Sequence, residues 1–159
     1  MKKAFILFAA ILSLCSCSEK MPIGNEVDSV VYLLSSGERE FTVSKENYVY
    51  SFSACKGGYD DRSYSVEIVV DEEDVVRYTA LKKESFRMIP RNSFELEPAA
   101  AVIGSGDDKA VFRVVFDPDC LTEGVDFILP LRIRCEEPDA VSPGRDVQYV
   151  LVKKINKDK

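Results

Sequence analysis

The stretch Ala110-Val111-Phe112-Arg113-Val114-Val115-Phe116 decides the fold class. Ala110, Phe112, Val114 and Phe116 alternate with Val111, Arg113 and Val115. That two-residue period is the mark of a strand with one face in a core and the other in solvent. Asp117-Pro118-Asp119 then ends it, because proline has no N–H to give a ladder.

The same period extends in both directions. Tyr48 to Cys55 puts Tyr48, Tyr50, Phe52 and Ala54 inward and turns Cys55 outward, and Tyr64, Val66, Ile68 and Val70 form the next inward face with Glu67 opposite. Phe127 to Cys135 points Phe127, Leu129, Leu131, Ile133 and Cys135 inward, leaving Ile128, Pro130 and Arg132 outside. Pro130 belongs at a bulge or with its nitrogen facing away from a neighbouring strand, and a local bulge is the simpler expectation. Val30 to Leu34, Phe41 to Ser44, Phe86 to Ile89, Phe94 to Leu96, Ala99 to Ile103 and Val147 to Val152 are shorter strand signals.

One helix interrupts the strands. Asp71-Glu72-Glu73-Asp74 places acids where a helix N-terminus welcomes them, and Val75, Val76 and Leu81 recur at roughly helical spacing through Lys83. Tyr78 shares the face of Val75 and is expected in the core. About eight short strands and one short helical crossover predict an all-β fold, an antiparallel immunoglobulin-like β-sandwich.

At the N-terminus, Lys2 and Lys3 precede the apolar run Ala4 to Leu12, and the segment closes on Leu14-Cys15-Ser16-Cys17. This pattern predicts a bacterial lipoprotein signal, too short to span a bilayer of about 30 Å as a helix. Ser16 offers the small residue that cleavage before Cys17 requires, whereas Cys15 follows the bulky Leu14. Acyl chains on Cys17 would anchor the protein in a membrane. Ser18 rather than Asp after the cysteine resembles sorting to the outer membrane, so a lipid-anchored outer-membrane site, exposed at the cell surface, is expected. The chain divides into a signal peptide (residues 1–16), a lipidated tether (17–26), a single β-sandwich domain (27–153) and a polar tail (154–159).

The net charge of −6 opposes a nucleic-acid partner, and loss of Lys2 and Lys3 would make the chain more acidic still. With Cys17 lipidated, Cys55, Cys120 and Cys135 remain, an odd number. Alternation sends Cys55 outward and Cys135 inward, so a bridge between them is not expected. There is no histidine, which removes Ser-His-Asp and Cys-His machinery, and Gly57-Gly58 lacks the lysine of a phosphate loop. Acids at Asp60-Asp61, Asp107-Asp108 and Asp117/Asp119 read as turn formers. Asp60, Asp61, Asp117 and Asp119 offer oxygens that calcium takes, yet none matches an EF-hand loop. No catalytic residue, metal or cofactor is expected.

Carbohydrate binding needs an exposed ring beside hydrogen-bonding groups, and there is no tryptophan to supply it. The candidate is the loop Gly57-Gly58-Tyr59-Asp60-Asp61-Arg62, where Tyr59 would stack, Asp60, Asp61 and Arg62 would bond hydroxyls, and the glycines would lend mobility. Tyr59 folded back over the sandwich edge is the alternative.

Several segments in order carry a family likeness. Asp74-Val75-Val76-Arg77-Tyr78, Met88-Ile89-Pro90 with Ser93-Phe94-Glu95-Leu96, Val102-Ile103-Gly104 leading to Ala110-Val111-Phe112-Arg113-Val114, and Phe127-Ile128-Leu129-Pro130-Leu131-Arg132-Ile133 together resemble the N-terminal β-sandwich of unknown function found in outer-membrane lipoproteins of Sus-type glycan-utilisation systems. The resemblance implies a non-catalytic lipoprotein, accessory to glycan capture or assembly. Its partners would be the membrane, through the lipid, and oligosaccharides or outer-membrane proteins. The alternative is a structural or adhesive module that pairs with another protein through an exposed sheet edge.

Overall fold

The computed structural model describes residues 29–58 and 61–155. The expected signal, the tether with Cys17, and the loop residues Tyr59 and Asp60 lie outside the described residues. Among the described residues, ten strands and one α-helix follow in the order β1 (Val30–Leu33), β2 (Gly37–Val43), β3 (Val49–Gly57), β4 (Tyr64–Val69), α1 (Glu72–Lys82), β5 (Arg87–Met88), β6 (Phe94–Glu97), β7 (Ala100–Ile103), β8 (Lys109–Phe116), β9 (Asp126–Cys135) and β10 (Val147–Lys154). They form two sheets, one in the order β1-β3-β8-β6 and one in the order β2-β10-β9-β4-β7, with β5 beside β9.

The alternation read from the sequence builds the core. Phe112, Val114 and Phe116 of β8, Phe52 and Ala54 of β3, Tyr64, Val66 and Ile68 of β4 and Phe127, Leu129, Leu131 and Ile133 of β9 all pack into one cluster. Phe41 of β2 crosses between the sheets, its ring 5.5 Å from Phe116 and 5.2 Å from Tyr50. Such aromatic pairs contribute about 0.5–1.5 kcal/mol beyond the area they bury.

Two pairings depart from an all-antiparallel sandwich. β2 runs parallel to β10, and β5 runs parallel to β9. The short link from β1 to β2 carries the chain from one sheet to the other, so β2 cannot turn back on its predecessor as a hairpin. Crossing through α1 likewise returns the chain to β9 in the parallel sense.

Pro130 makes no bulge. The β9–β10 ladder keeps one register from Asp126↔Lys153 to Arg132↔Val147 without interruption. Ile133 donates to Asp146 across that ladder, so alternation turns the nitrogen of residue 130 to the other edge of β9. There β5 reaches only Phe127 and Ile128, and β4 begins pairing at Arg132. The missing N–H falls in the gap between two short partners.

The helix explains why residues read as outward are buried. Asp71 caps it, Oδ1 accepting from Glu73 N at 2.9 Å, and Lys83 closes it at φ 59°. Between these ends, Val75 and Tyr78 pack on Ile128, with Phe86, Met88, Tyr149 and Leu151 around them. Ile128 and Pro130 are therefore covered on the far face of β9, not solvated. Val76 and Leu81 do not share that contact: they are 69% and 76% exposed. Val76 stands about 100° round the helix from Val75, and Leu81 in the last turn lies outside the cluster. The helix foot is also polar. The Tyr78 hydroxyl donates to Glu38, and Lys82 Nζ lies 2.7 Å from the same carboxylate.

Cys55 sits on the outer face, as alternation requires, yet it is buried. Tyr32 and Lys109 flank it in the ladder, and the Arg145 guanidinium lies 3.8 Å from the centre of the Tyr32 ring. Burial pushes its thiol pKa up. Cys55, Cys120 and Cys135 are all free thiols.

Candidate functional site

Gly57 and Gly58, the glycines of the β3–β4 connection, are both held closely by the β1 side of the sheet. Gly57 is the last residue of β3, paired with Val30. Gly58 takes φ +116°, and a Cβ there would lie 2.7 Å from Ser29 Cα. Only glycine fits such a left-handed position against a neighbouring backbone. Lys56 tightens the far side, its ammonium donating to the carbonyls of Arg62, Gly104 and Ser105 at 3.2–3.3 Å.

Of the four sugar-contact candidates, Asp61 and Arg62 fall within the described residues, and both are exposed. Arg62 is already engaged. Its Nη1 lies 3.3 Å from Glu137 Oε2, and its guanidinium sits 5.6 Å from the centre of the Tyr64 ring. A hollow of about 200 Å³ beside it is lined by Ser29, Val30, Glu137, Asp139 and Ala140. Tyr59 and Asp60, the other two candidates, lie outside the described residues.

A second place combines a ring with free polar groups. Tyr48 precedes β3; alternation places it in the inward set, but it is 42% exposed. It lines a hollow of about 350 Å³ with Lys45, Phe116, Asp117, Pro118 and Asp119. Two turns build this rim. In the first, Ser44 Oγ accepts from Asn47 N at 3.1 Å, and Asn47 Nδ2 donates to Thr42 O at 2.7 Å. In the second, Asp117 Oδ1 accepts from Asp119 N at 3.0 Å while its Oδ2 accepts from Cys120 Sγ at 3.1 Å. Those bonds, the thiol first, hold the Asp117 carboxyl below its ordinary pKa and push the Cys120 thiol up. The Phe116 N to Tyr48 O bond, 2.8 Å, joins the two turns.

A third hollow, about 530 Å³, opens beside β6, which among the described residues has a strand on one side only. Glu67, Glu95, Arg91 and Phe94 line it, but the Phe94 ring is buried under the Arg91 guanidinium at 4.9 Å. Among the described residues, no group of three or more cysteines or acids is placed to hold a metal ion. The Asp117 carboxylate caps its own turn, accepting from Asp119 N and Cys120 Sγ, while the Asp119 carboxylate stays exposed.

Residues 25–139 match the model of a protein family whose description reads "-like, N-terminal domain". No curated protein matches the chain. Among solved structures, a candidate carbohydrate-binding protein of Bacteroides ovatus is similar at TM-score 0.64 and 23% identity, over 79% of this chain and 37% of its own. A Bacteroides ovatus protein of unknown function is similar at TM-score 0.66 and 16% identity, covering 81% of this chain and 46% of its own. Bacteroides thetaiotamicron EndoBT-3987, solved with a Man5GlcNAc product, is similar at TM-score 0.59 and 15% identity, covering 78% and 30%. At these identities the likeness is one of fold. This chain spans less than half the length of each of the three.

Proposed function

We propose, from the premise that this chain belongs to the family of N-terminal domains whose model spans residues 25–139, that it is a non-catalytic accessory module for glycan capture or assembly. In the same reading it is held at the outer membrane through lipid on Cys17, as part of a surface glycan-utilisation system. The observation that carries the glycan part is the shared fold: the sandwich covers 79% of this chain in common with a candidate carbohydrate-binding protein. The absence of histidine from the sequence supports the non-catalytic part, since the commonest general base is missing.

Native affinity electrophoresis of the purified chain tests the glycan reading. Retardation in gels containing yeast mannan, xyloglucan or starch is expected; unchanged mobility in every neutral polysaccharide would end it. For the anchor, Cys17→Ala should abolish labelling by a radioactive fatty acid while Cys15→Ala leaves it. Labelling that survives Cys17→Ala would refute the lipid assignment. A protein-interaction module is the second reading, favoured by one feature. Among the described residues, β6 has no partner on its outer edge beside the 530 Å³ hollow, where an extended strand would find ladder partners.

A further inference from the structure

The hollow at Tyr48 has the chemistry of a sugar subsite, and neither turn around it needs its free groups for folding. Among the described residues, no hydrogen bond or ion pair engages the Lys45 ammonium, the Tyr48 hydroxyl or the Asp119 carboxylate. All three border one cavity of about 350 Å³, within the range of ligand pockets of roughly 300–1,000 Å³. A half-exposed ring leaves apolar surface in water that stacking would remove.

We propose that this hollow binds a neutral sugar residue, its apolar face stacked on Tyr48 and its hydroxyls held between Asp119 and Lys45. A hydroxyl both donates and accepts, so a carboxylate and an ammonium on one rim satisfy both of its capacities. Asp117 is held by Asp119 N and Cys120 Sγ and so presents a fixed acceptor rather than a mobile one. The Ser44–Asn47 turn fixes the backbone at Lys45 in the same way. Two carboxylates against one ammonium leave the rim negative, which selects against uronic acids, phosphates and nucleic acid. A cationic ligand is disfavoured in turn by Lys45 and by the presence of a single exposed ring, Phe116 being buried, where aromatic cages use several.

The inference rests on the glycan reading and adds to it the place and the class of sugar. The test is affinity electrophoresis of the full chain in yeast mannan, xyloglucan and polygalacturonate, with thermal midpoints measured in parallel. Wild type should be retarded by a neutral polysaccharide and not by polygalacturonate. Tyr48→Ala should weaken that retardation about tenfold or more, the effect of losing roughly 1.4 kcal/mol, and Asp119→Asn and Lys45→Met should weaken it several-fold. Tyr48→Phe should keep most of it, because the ring face remains. Asp119 and Lys45 are exposed turn residues, so their variants answer the question even if Tyr48→Ala lowers the midpoint. Neutral-polysaccharide binding that survives Tyr48→Ala and Asp119→Asn would overturn this subsite and leave the glycan reading standing. Retention by polygalacturonate alone would overturn the sugar class. No retardation of the wild type by any of them would overturn both.

Discussion

Arg132, in the middle of β9, grips Asp74, in the first turn of α1, through Nε at 2.9 Å and through Nη2. Asp74 is 1% exposed, and the guanidinium also reaches Asp146 just ahead of β10. The carboxylates push Arg132 above its already high pKa, with the Asp74 hydrogen bond the chief cause. One side chain thus orients the helix on the sheet and ties it to the turn before the last strand. Planar guanidinium geometry makes such a two-point grip possible.

Removing Asp74 should therefore be costly. Asp74→Ala leaves a half-buried guanidinium with only Asp146, and breaking a buried pair costs about 3–5 kcal/mol. The remaining partner places the expected loss near the lower end. Urea unfolding should show the fall in midpoint, whereas Glu73→Ala, on the exposed side of the same turn, should change it little. Equal effects would mean the helix is not held through Arg132.

The second apolar cluster makes a contrasting pair of predictions. Ile128→Ala empties a side chain that is 0% exposed and should cost about 2–5 kcal/mol. Leu81→Ala, on the exposed last turn of the helix, should stay within about 0.5 kcal/mol. A thermal scan of the two variants separates them, and a mild Ile128→Ala would show that α1 does not seal this face.

Gly58→Ala should destabilise by more than about 1 kcal/mol, because both its φ and its distance from Ser29 forbid a Cβ. Gly106→Ala, with open space around it and no positive φ, serves as the control and should be nearly neutral. Denaturant midpoints that do not differ would mean that the backbone at Gly58 and Ser29 shifts to admit a Cβ.

The polar foot of the helix predicts a pH dependence. Hydrogen bonds from Lys82 and then Tyr78 hold Glu38 below its ordinary pKa of 4.5. A carboxyl whose pKa is lowered on folding adds stability above the unfolded value and loses it as pH falls through the folded one. The advantage of wild type over Glu38→Gln should accordingly be complete at neutral pH and vanish on acidification below 4.5. At the alkaline end, burial and then the Glu38 bond raise the Tyr78 pKa, so its contribution is present below pH 10 and lost as pH rises through the folded value. Unfolding midpoints of wild type and Glu38→Gln across pH 3–8 and of Tyr78→Phe above pH 9 check both signs. A Glu38→Gln deficit that persists at pH 3 would contradict the linkage.

The sequence by itself determined most of the strands and their inward faces, the helix with its acidic start, and the turns at Asp107-Asp108 and Asp117-Pro118-Asp119. These are local matters: a two-residue period, an Asp at an N-cap and a proline after a strand act within a few residues of themselves. Tertiary structure alone decided which faces met water. Ile128 and Pro130 alternate outward like Arg113 and Val111, yet they are buried, because α1 lands on β9 and not on β8. The parallel pairing of β2 with β10 was invisible for the same reason, since it joins segments more than a hundred residues apart. Asp74 looked like one more helix-start acid until Arg132, far along the chain, came to face it. Tyr48 ran the other way. Its place in an alternating stretch said core, but it stands ahead of β3 at the rim of the sandwich, where the opposite sheet no longer covers a ring. Periodicity states which side chains share a face; only the packing of distant segments decides what covers that face.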